Sequence, residues 1–197
     1  FSLLFLINLA LGLTGFLLIS SFSASLSRHL EGHLREILTA DLLVQSSRPL
    51  SEREEALRRN VAGPDSSFSR QVAFYTMVKG DGIAKLAQIV AIDQAYPLYG
   101  TFRAAHGSVD GQEISDLQHK PLLLVTRETM QTFGVRPGDS LDIGQARYTV
   151  AVVVDREPGD DFTGLTLAPK IYLGLPQVEN SGLIRFGSRI TYTHFIR

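Results

Sequence analysis

Residues 1–27 contain no Asp, Glu, Lys or Arg, and residues 1–19 are almost continuously Leu, Ile, Phe, Ala and Gly. Nothing else in the chain limits its fold as strongly. At about 1.5 Å rise per residue, roughly 20 such residues cross the hydrocarbon core of a bilayer. Only Ser2, Asn8 and Thr14 interrupt the first 19 residues, and a helix carries a few uncharged polar groups against a neighbour or its own backbone. The run predicts a membrane-spanning helix over residues 1–27, with the remainder attached as an extramembrane domain. A signal peptide is the first alternative, since Ser23, Ala24 and Ser25 offer a small-residue cleavage site, but a signal also wants a basic start and a shorter apolar core. A buried helix of a soluble core is the second. The run begins without a starting Met, so the sequence reads as a piece of a longer chain, and no basic flank reports orientation.

Beyond the span, apolar residues thin into a stripe. Phe22, Leu26, Leu30 and Leu34 recur every fourth residue, Ile37 and Leu38 follow, and Arg28, Glu31, Arg35 and Glu36 take the other faces. This spacing predicts an amphipathic helix over residues 28–40, continuous with the span and about 55–60 Å long in all. Leu26, Leu30 and Leu34 are the candidate coupling residues of that stalk, and their stripe needs either a second helix or the domain itself as a partner. His29 and His33 share one side with Glu36, but the pattern lacks the glutamate of a zincin and a third ligand.

The period then changes. Asp41-Leu-Leu-Val-Gln-Ser-Ser47 reads as a short strand. Ser51 and Glu54 form a capping box for the helix from Glu52, which Gly63 and Pro64 end. Residues 72–78 and 85–92 alternate as a hairpin around Lys79-Gly-Asp-Gly82. Tyr96, Tyr99 and Phe102 follow, as an exposed contact patch or as rings covering the sheet edge. Residues 101–117 are polar and irregular and read as a crossover. Residues 122–125 are strand-like, Thr126 caps a short helix to Phe133, and two strands at 140–143 and 148–154 suit a small barrel or curled sheet. Asp155, Glu157, Asp160 and Asp161 read as a solvated loop. Strands are expected again at 171–173 and 189–196. The fold class is α+β.

Charge and motifs exclude several functions. Nineteen basic against 20 acidic residues leave no footprint for nucleic acid. The absence of cysteine removes disulfides, thiolate nucleophiles and thiolate zinc sites. No P-loop, nucleophile elbow or dinucleotide-binding glycine run is present, so ATP, metal and other cofactors have no motif here. His106, His119 and His194 stand without partners that spacing justifies. The chain reads as non-catalytic.

Four segments in order carry a family resemblance: Leu38-Thr-Ala-Asp-Leu-Leu-Val-Gln-Ser-Ser-Arg-Pro-Leu50, Ala95-Tyr-Pro-Leu-Tyr-Gly100, Phe133-Gly-Val-Arg-Pro-Gly-Asp139, and Ala168-Pro-Lys-Ile-Tyr172 continuing to Ser181-Gly-Leu-Ile-Arg-Phe-Gly-Ser-Arg-Ile-Thr-Tyr192. On these the chain resembles the permeases of bacterial ABC exporters of the MacB, LolC and FtsX type, most of all the YbbP-like permeases. The resemblance implies a two-lobed periplasmic domain between the first and second transmembrane helices of a multi-pass inner-membrane protein. A strand–helix lobe would open at 41–100, a crossover at 101–117 would lead to an inserted mostly-β lobe at 118–183, and 184–197 would return to the first. It implies a separate ATPase subunit that binds ATP and magnesium, a second permease copy, and stalk helices that carry ATP-driven movement to residues 41–197. It implies an associated periplasmic lipid or ester hydrolase, and with it a lipid-like cargo. Two other functions fit the residues: a membrane-anchored sensor or interaction domain, and an anchored ligand-binding or hydrolytic domain with a concave pocket.

Overall fold

The computed structural model describes residues 2–63, 65–105, 107–159, 168–180 and 189–197. His106, Asp160, Asp161 and most of the segment from Ser181 to Tyr192 lie outside them.

Helix α1 (Ser2–Leu38) runs without a break from the apolar stretch into the amphipathic one. Within it, the 19 residues Phe5–Ser23 are long and apolar enough to cross a membrane. Leu3, Phe5, Phe16 and Phe22 are all about two-thirds or more exposed, so this apolar surface packs against nothing in the described chain and lipid is the solvent that suits it. Thr14 donates its hydroxyl to the Ala10 carbonyl at 2.7 Å, which satisfies a polar group inside the helix.

The domain beyond is a mixed sheet with short helices. Its strands are β1 (Leu42–Ser46), β2 (Phe68–Gly80), β3 (Ile83–Ile92), β4 (Arg103–Ala104), β5 (Gly107–Ser108), β6 (Leu122–Thr126), β7 (Ser140–Ile143), β8 (Ala146–Arg156), β9 (Lys170–Gly174) and β10 (Ile190–Ile196). The helices are α2 (Glu52–Ala62), α3 (Gly111–His119), α4 (Arg127–Phe133) and α5 (Leu175–Asn180). Local chemistry accounts for many boundaries. Ser51 and Glu54 exchange hydrogen bonds at the start of α2, and Arg48 and Ser51 together hold the Glu54 carboxyl down at about 2. Thr126 caps α4, and Gly134 ends it in the left-handed region at φ 70°. Asp81 and Gly82, both with positive φ, make the two-residue turn of the β2–β3 hairpin.

The strand order is β1-β10-β2-β3-β9-β6-β8-β4-β5, and β7 pairs with both β2 and β8. Strands β2, β3, β9, β6, β8 and β7 therefore close a ring. Closure rests on a short ladder, Val78 opposite Ile143 and Lys79 opposite Asp142. Pairs β3–β9 and β6–β8 are parallel, and the others are antiparallel. The sheet is continuous across the boundaries expected at 100, 118 and 183, because β3 pairs with β9 and β2 with β7.

Alternation sorts the core into two clusters. Ala87, Ile89, Leu123, Val125, Ile171 and Leu173 lie on the enclosed face of the ring; their neighbours Val90, Ile92, Leu124 and Tyr172 lie on the outer face. Strand β8 contributes Tyr148 and Val150 to the first cluster but Val152 and Val154 to the second. The register slips by one residue there, Leu123 facing Val150 and Leu124 facing Val152. One extra residue turns the remainder of the strand to the opposite face.

Two expectations are corrected. The stretch expected as an irregular crossover holds a short hairpin, β4–β5, and a helix, α3. Asp110 and Glu113 form a capping box for α3, and Ile114 and Leu117 bury against the outer cluster. With only two apolar residues and Gly111 in its first turn, this helix gives almost no periodic signal. Gly174 lets it approach: a Cβ there would collide with the Leu117 carbonyl and lie 2.8 Å from Gln118 Cα. The acidic loop is not wholly solvated either. Asp155 pairs with Arg127 at 2.5 Å, and Glu157 pairs with Lys170 with only 10% and 14% of their side chains exposed.

Candidate functional site: the joint between helix and sheet

At Leu38 the long helix stops, and the next residue, Thr39, turns the chain at φ 55°. Glycine usually takes this left-handed position after a helix, and a β-branched residue there is strained. The surroundings hold it. Thr39 is 3% exposed and Ala40 is 1% exposed. The Thr39 carbonyl accepts the Tyr99 N–H at 3.2 Å. Asp41 N–H then donates to the Ile196 carbonyl at 2.9 Å, and β1 runs antiparallel to β10 from Leu42 opposite Ile196 to Ser46 opposite Tyr192. The chain passes from helix to sheet with no free linker.

A group of rings seats this joint on the sheet. Tyr96 lies 5.3 Å from Phe195 and 6.0 Å from Phe102, centre to centre, and Phe102 meets Tyr172 edge-on at 4.9 Å. Such pairs add about 0.5–1.5 kcal/mol each beyond the area they bury. Tyr172 donates its hydroxyl to Glu157 Oε2 at 2.8 Å, and the same oxygen accepts from Lys170 Nζ at 2.5 Å. Contacts are therefore continuous from the end of α1 to strand β9 of the ring. Burial, and after it the Glu157 carboxylate, push the Tyr96 hydroxyl well above the usual tyrosine range; the Thr39 side chain pulls the other way.

The far end of β10 joins the same assembly. Ser67 and Arg197 exchange backbone hydrogen bonds at 2.8 and 2.9 Å. The Arg197 guanidinium lies 4.6 Å from the centre of the Tyr99 ring and donates to the Leu98 carbonyl at 3.1 Å. The Tyr99 hydroxyl donates to Asp41 Oδ2 at 2.9 Å. Residues 41 and 197 stand side by side, each fastened to Tyr99.

Of the sequence-expected residues, Tyr96, Tyr99 and Phe102 meet at this joint, but not as an exposed patch. Tyr96 and Phe102 are 6% and 1% exposed within the outer core cluster, and only Tyr99 reaches the surface. Apolar rings beside a sheet gain more from covering it than from facing water. Leu26, Leu30 and Leu34 belong to the helical backbone of α1, and their side chains lie outside the described residues. Thr39, Phe195 and Arg197 carry no local signal of a site in the sequence, and Glu157 reads there only as part of a solvated loop. Their roles depend on neighbours distant in the chain, Thr39 on Tyr99, Phe195 on Tyr96, and Arg197 on Ser67 and Leu98. Among the described residues no three acidic or histidine side chains converge as a metal site.

Comparison with known proteins adds the following. The family model described as the MacB-like periplasmic core domain matches residues 2–194. The chain is 27% identical over 188 residues to the uncharacterized ABC transporter permease YbbP of Escherichia coli (strain K12), covering 94% of this chain and 22% of that protein. It thus spans about a fifth of that relative's length. Its fold is similar to the periplasmic region of MacB from Actinobacillus actinomycetemcomitans, with a TM-score of 0.51 at 10% identity over 83% of this chain and 77% of the other. It is also similar to the extracellular domain of the noncanonic ABC-type transporter YknZ from Gram-positive bacteria, with a TM-score of 0.50 at 10% identity over 73% and 72%. At that identity the two structures speak for the fold alone.

Proposed function

The chain belongs to the MacB-like periplasmic core domain family, and on that premise we propose that it is the first membrane helix and periplasmic domain of an ABC-exporter permease. In this reading the chain performs no chemistry. A partner ATPase binds ATP and magnesium, a second permease copy pairs with this one, and the movement ATP hydrolysis produces is delivered to the periplasmic domain through α1. The parent is a multi-pass protein of the bacterial inner membrane. Leu26, Leu30 and Leu34 are the stalk positions at which neighbouring helices engage. The cargo is hydrophobic or lipid-like, handed to or received from a periplasmic lipid or ester hydrolase.

One observation carries the mechanical part of this reading: the absence of slack at the joint. A tether needs a compliant linker, and Gly/Ser segments provide one. Here the helix ends, turns through two buried residues and enters a paired strand. Displacement of α1 therefore moves β1, and through the rings it moves the strand ring as well. The test is an insertion of Gly-Gly-Ser after Leu38 in the full-length permease reconstituted with its ATPase. Continued ATP hydrolysis with export lost is the expected result. Export at the unaltered rate would mean that the helix only anchors the domain.

A further inference from the structure

On the face of β10 opposite Phe195 lie Tyr192 and His194. They wall a cavity of about 210 Å³ closed by β2, α5, α2 and the loop that leads into α2. His194 is 2% exposed, and neither of its ring nitrogens has a hydrogen-bond partner among the described residues. Buried polar groups are almost always paired. A second such group stands close by: Arg58 Nε is buried without a hydrogen-bond partner among the described residues, while its guanidinium lies 4.7 Å from the centre of the Phe68 ring.

The chemistry of the missing partner follows from a count of donors. A neutral imidazole offers one N–H and one lone pair, and Arg58 Nε offers only an N–H. The groups in need of partners are thus mostly donors. The surrounding charge points the same way. Arg58 on α2 and Arg70 on β2 both act on His194, as do Glu55 on α2 and Asp93 beyond β3. The two acids are already engaged. Glu55, which itself lines the cavity, lies 3.7 Å from Arg59, and Asp93 accepts from Ser69 Oγ at 2.7 Å, Arg70 N at 2.7 Å and Ala95 N at 3.1 Å. The α5 residues at the cavity, Leu175 and Val178, are apolar, as are Leu50 and Val72.

We propose that this cavity is a binding site for a small organic carboxylate, its oxygens accepting the His194 N–H beside the Arg70 guanidinium and its short apolar part lying against Leu50, Val72 and Leu175. The apolar walls disfavour a fully hydrated inorganic anion. Binding also couples to protonation. Burial, with Arg58 and Arg70, holds the free imidazole below its ordinary range, and a bound carboxylate reverses that bias. Affinity therefore rises as pH falls through the titration of the occupied site, by about tenfold for each unit by which occupancy raises the imidazole pKa.

The test uses the full chain in lipid nanodiscs with isotopically labelled histidine, the His194 ring signals being assigned by their loss in His194→Gln. Titration with butyrate is expected to shift those signals saturably and to raise the imidazole pKa. Arg70→Gln, and independently Leu50→Phe, which fills the cavity while leaving every charge in place, should each weaken binding at least tenfold; near-ultraviolet circular dichroism reports whether each variant has folded. Inorganic phosphate at equal ionic strength should leave the signals unshifted. A shift that never saturates, or that phosphate reproduces, would overturn the proposal and leave the imidazole to ordered water. The unaltered chain decides between these outcomes even where a variant fails to fold.

Discussion

Replacing Thr39 by glycine separates stability from stiffness at the joint. Thr39 occupies the left-handed region at φ 55°, which costs a residue with a Cβ about 1–2 kcal/mol. Glycine relieves that strain. It also gives up the packing of a side chain that is 3% exposed, a loss of about 0.8 kcal/mol for its buried methyl group, and adds about 0.5–1 kcal/mol of unfolded-state entropy. The terms offset to within about 1 kcal/mol of zero, so the denaturation midpoint should barely move. The joint itself should loosen, because a buried, β-branched threonine becomes a residue with two extra backbone basins. The chain has no cysteine, so spin labels can be placed at Ser25→Cys on α1 and Ser140→Cys on β7 without a background. Pulsed dipolar spectroscopy in nanodiscs should give one narrow distance distribution with Thr39 and a visibly broader one with glycine. A distribution already broad with Thr39, or one that glycine leaves unchanged, would refute the claim that this turn is stiff.

Three further outcomes follow from packing and burial. Phe102→Ala removes a ring that is 1% exposed between Tyr96 and Tyr172; urea denaturation should show a loss of about 3–5 kcal/mol. Gly174→Ala drives a methyl group into the backbone of α3 and should cost about 1–3 kcal/mol by the same assay. His194 is held below its ordinary pKa by burial, Arg58 and Arg70, so the unfolded chain binds the proton more readily than the folded one. Its contribution to stability is complete above the unfolded value of about 6.5 and is lost as pH falls from there toward the folded value, at up to about 1.4 kcal/mol per pH unit. His194→Gln should flatten that dependence, as read from thermal unfolding across mildly acidic pH.

Sequence reasoning succeeded where a signal is local. Ser51 with Glu54, Thr126 with Gly134, and Asp81 with Gly82 each hold the chemistry of a boundary within a few residues. The apolar run of α1 is legible for the same reason, since length and composition alone define it. The strand at Ile190–Ile196 shows its alternation plainly. Which of its faces would hold a buried, unpartnered histidine depends on Arg58, Arg70 and α5, none of them near in sequence. Helix α3 is hard to read from sequence although Asp110 and Glu113 spell out its cap, because its apolar content is two residues. Ring closure through β7 and the slipped register of β8 have no local signature, since both are settled by strands that meet only in the folded sheet. The rings at Tyr96 and Phe102 were visible as rings, but exposure is a property of the tertiary structure.

The antiparallel pairing of β1 with β10 has a mechanical consequence. The first residue of one strand faces the last of the other, Leu42 opposite Ile196, so chain attached at 41 and at 197 pulls on the same end of the ladder. Loads that act on both attachments together cross the whole ladder and carry the domain as one piece. Loads that draw them apart fall on a single rung at a time, beginning with the Asp41–Ile196 bond, as a zipper opens from its tab. In the permease proposed above, with a membrane helix on either side of the domain, common and opposed displacement of the two attachments would have different effects. The domain would follow the first and peel under the second, with the Arg197–Tyr99–Asp41 clasp resisting the opening at the same end as the Asp41–Ile196 bond.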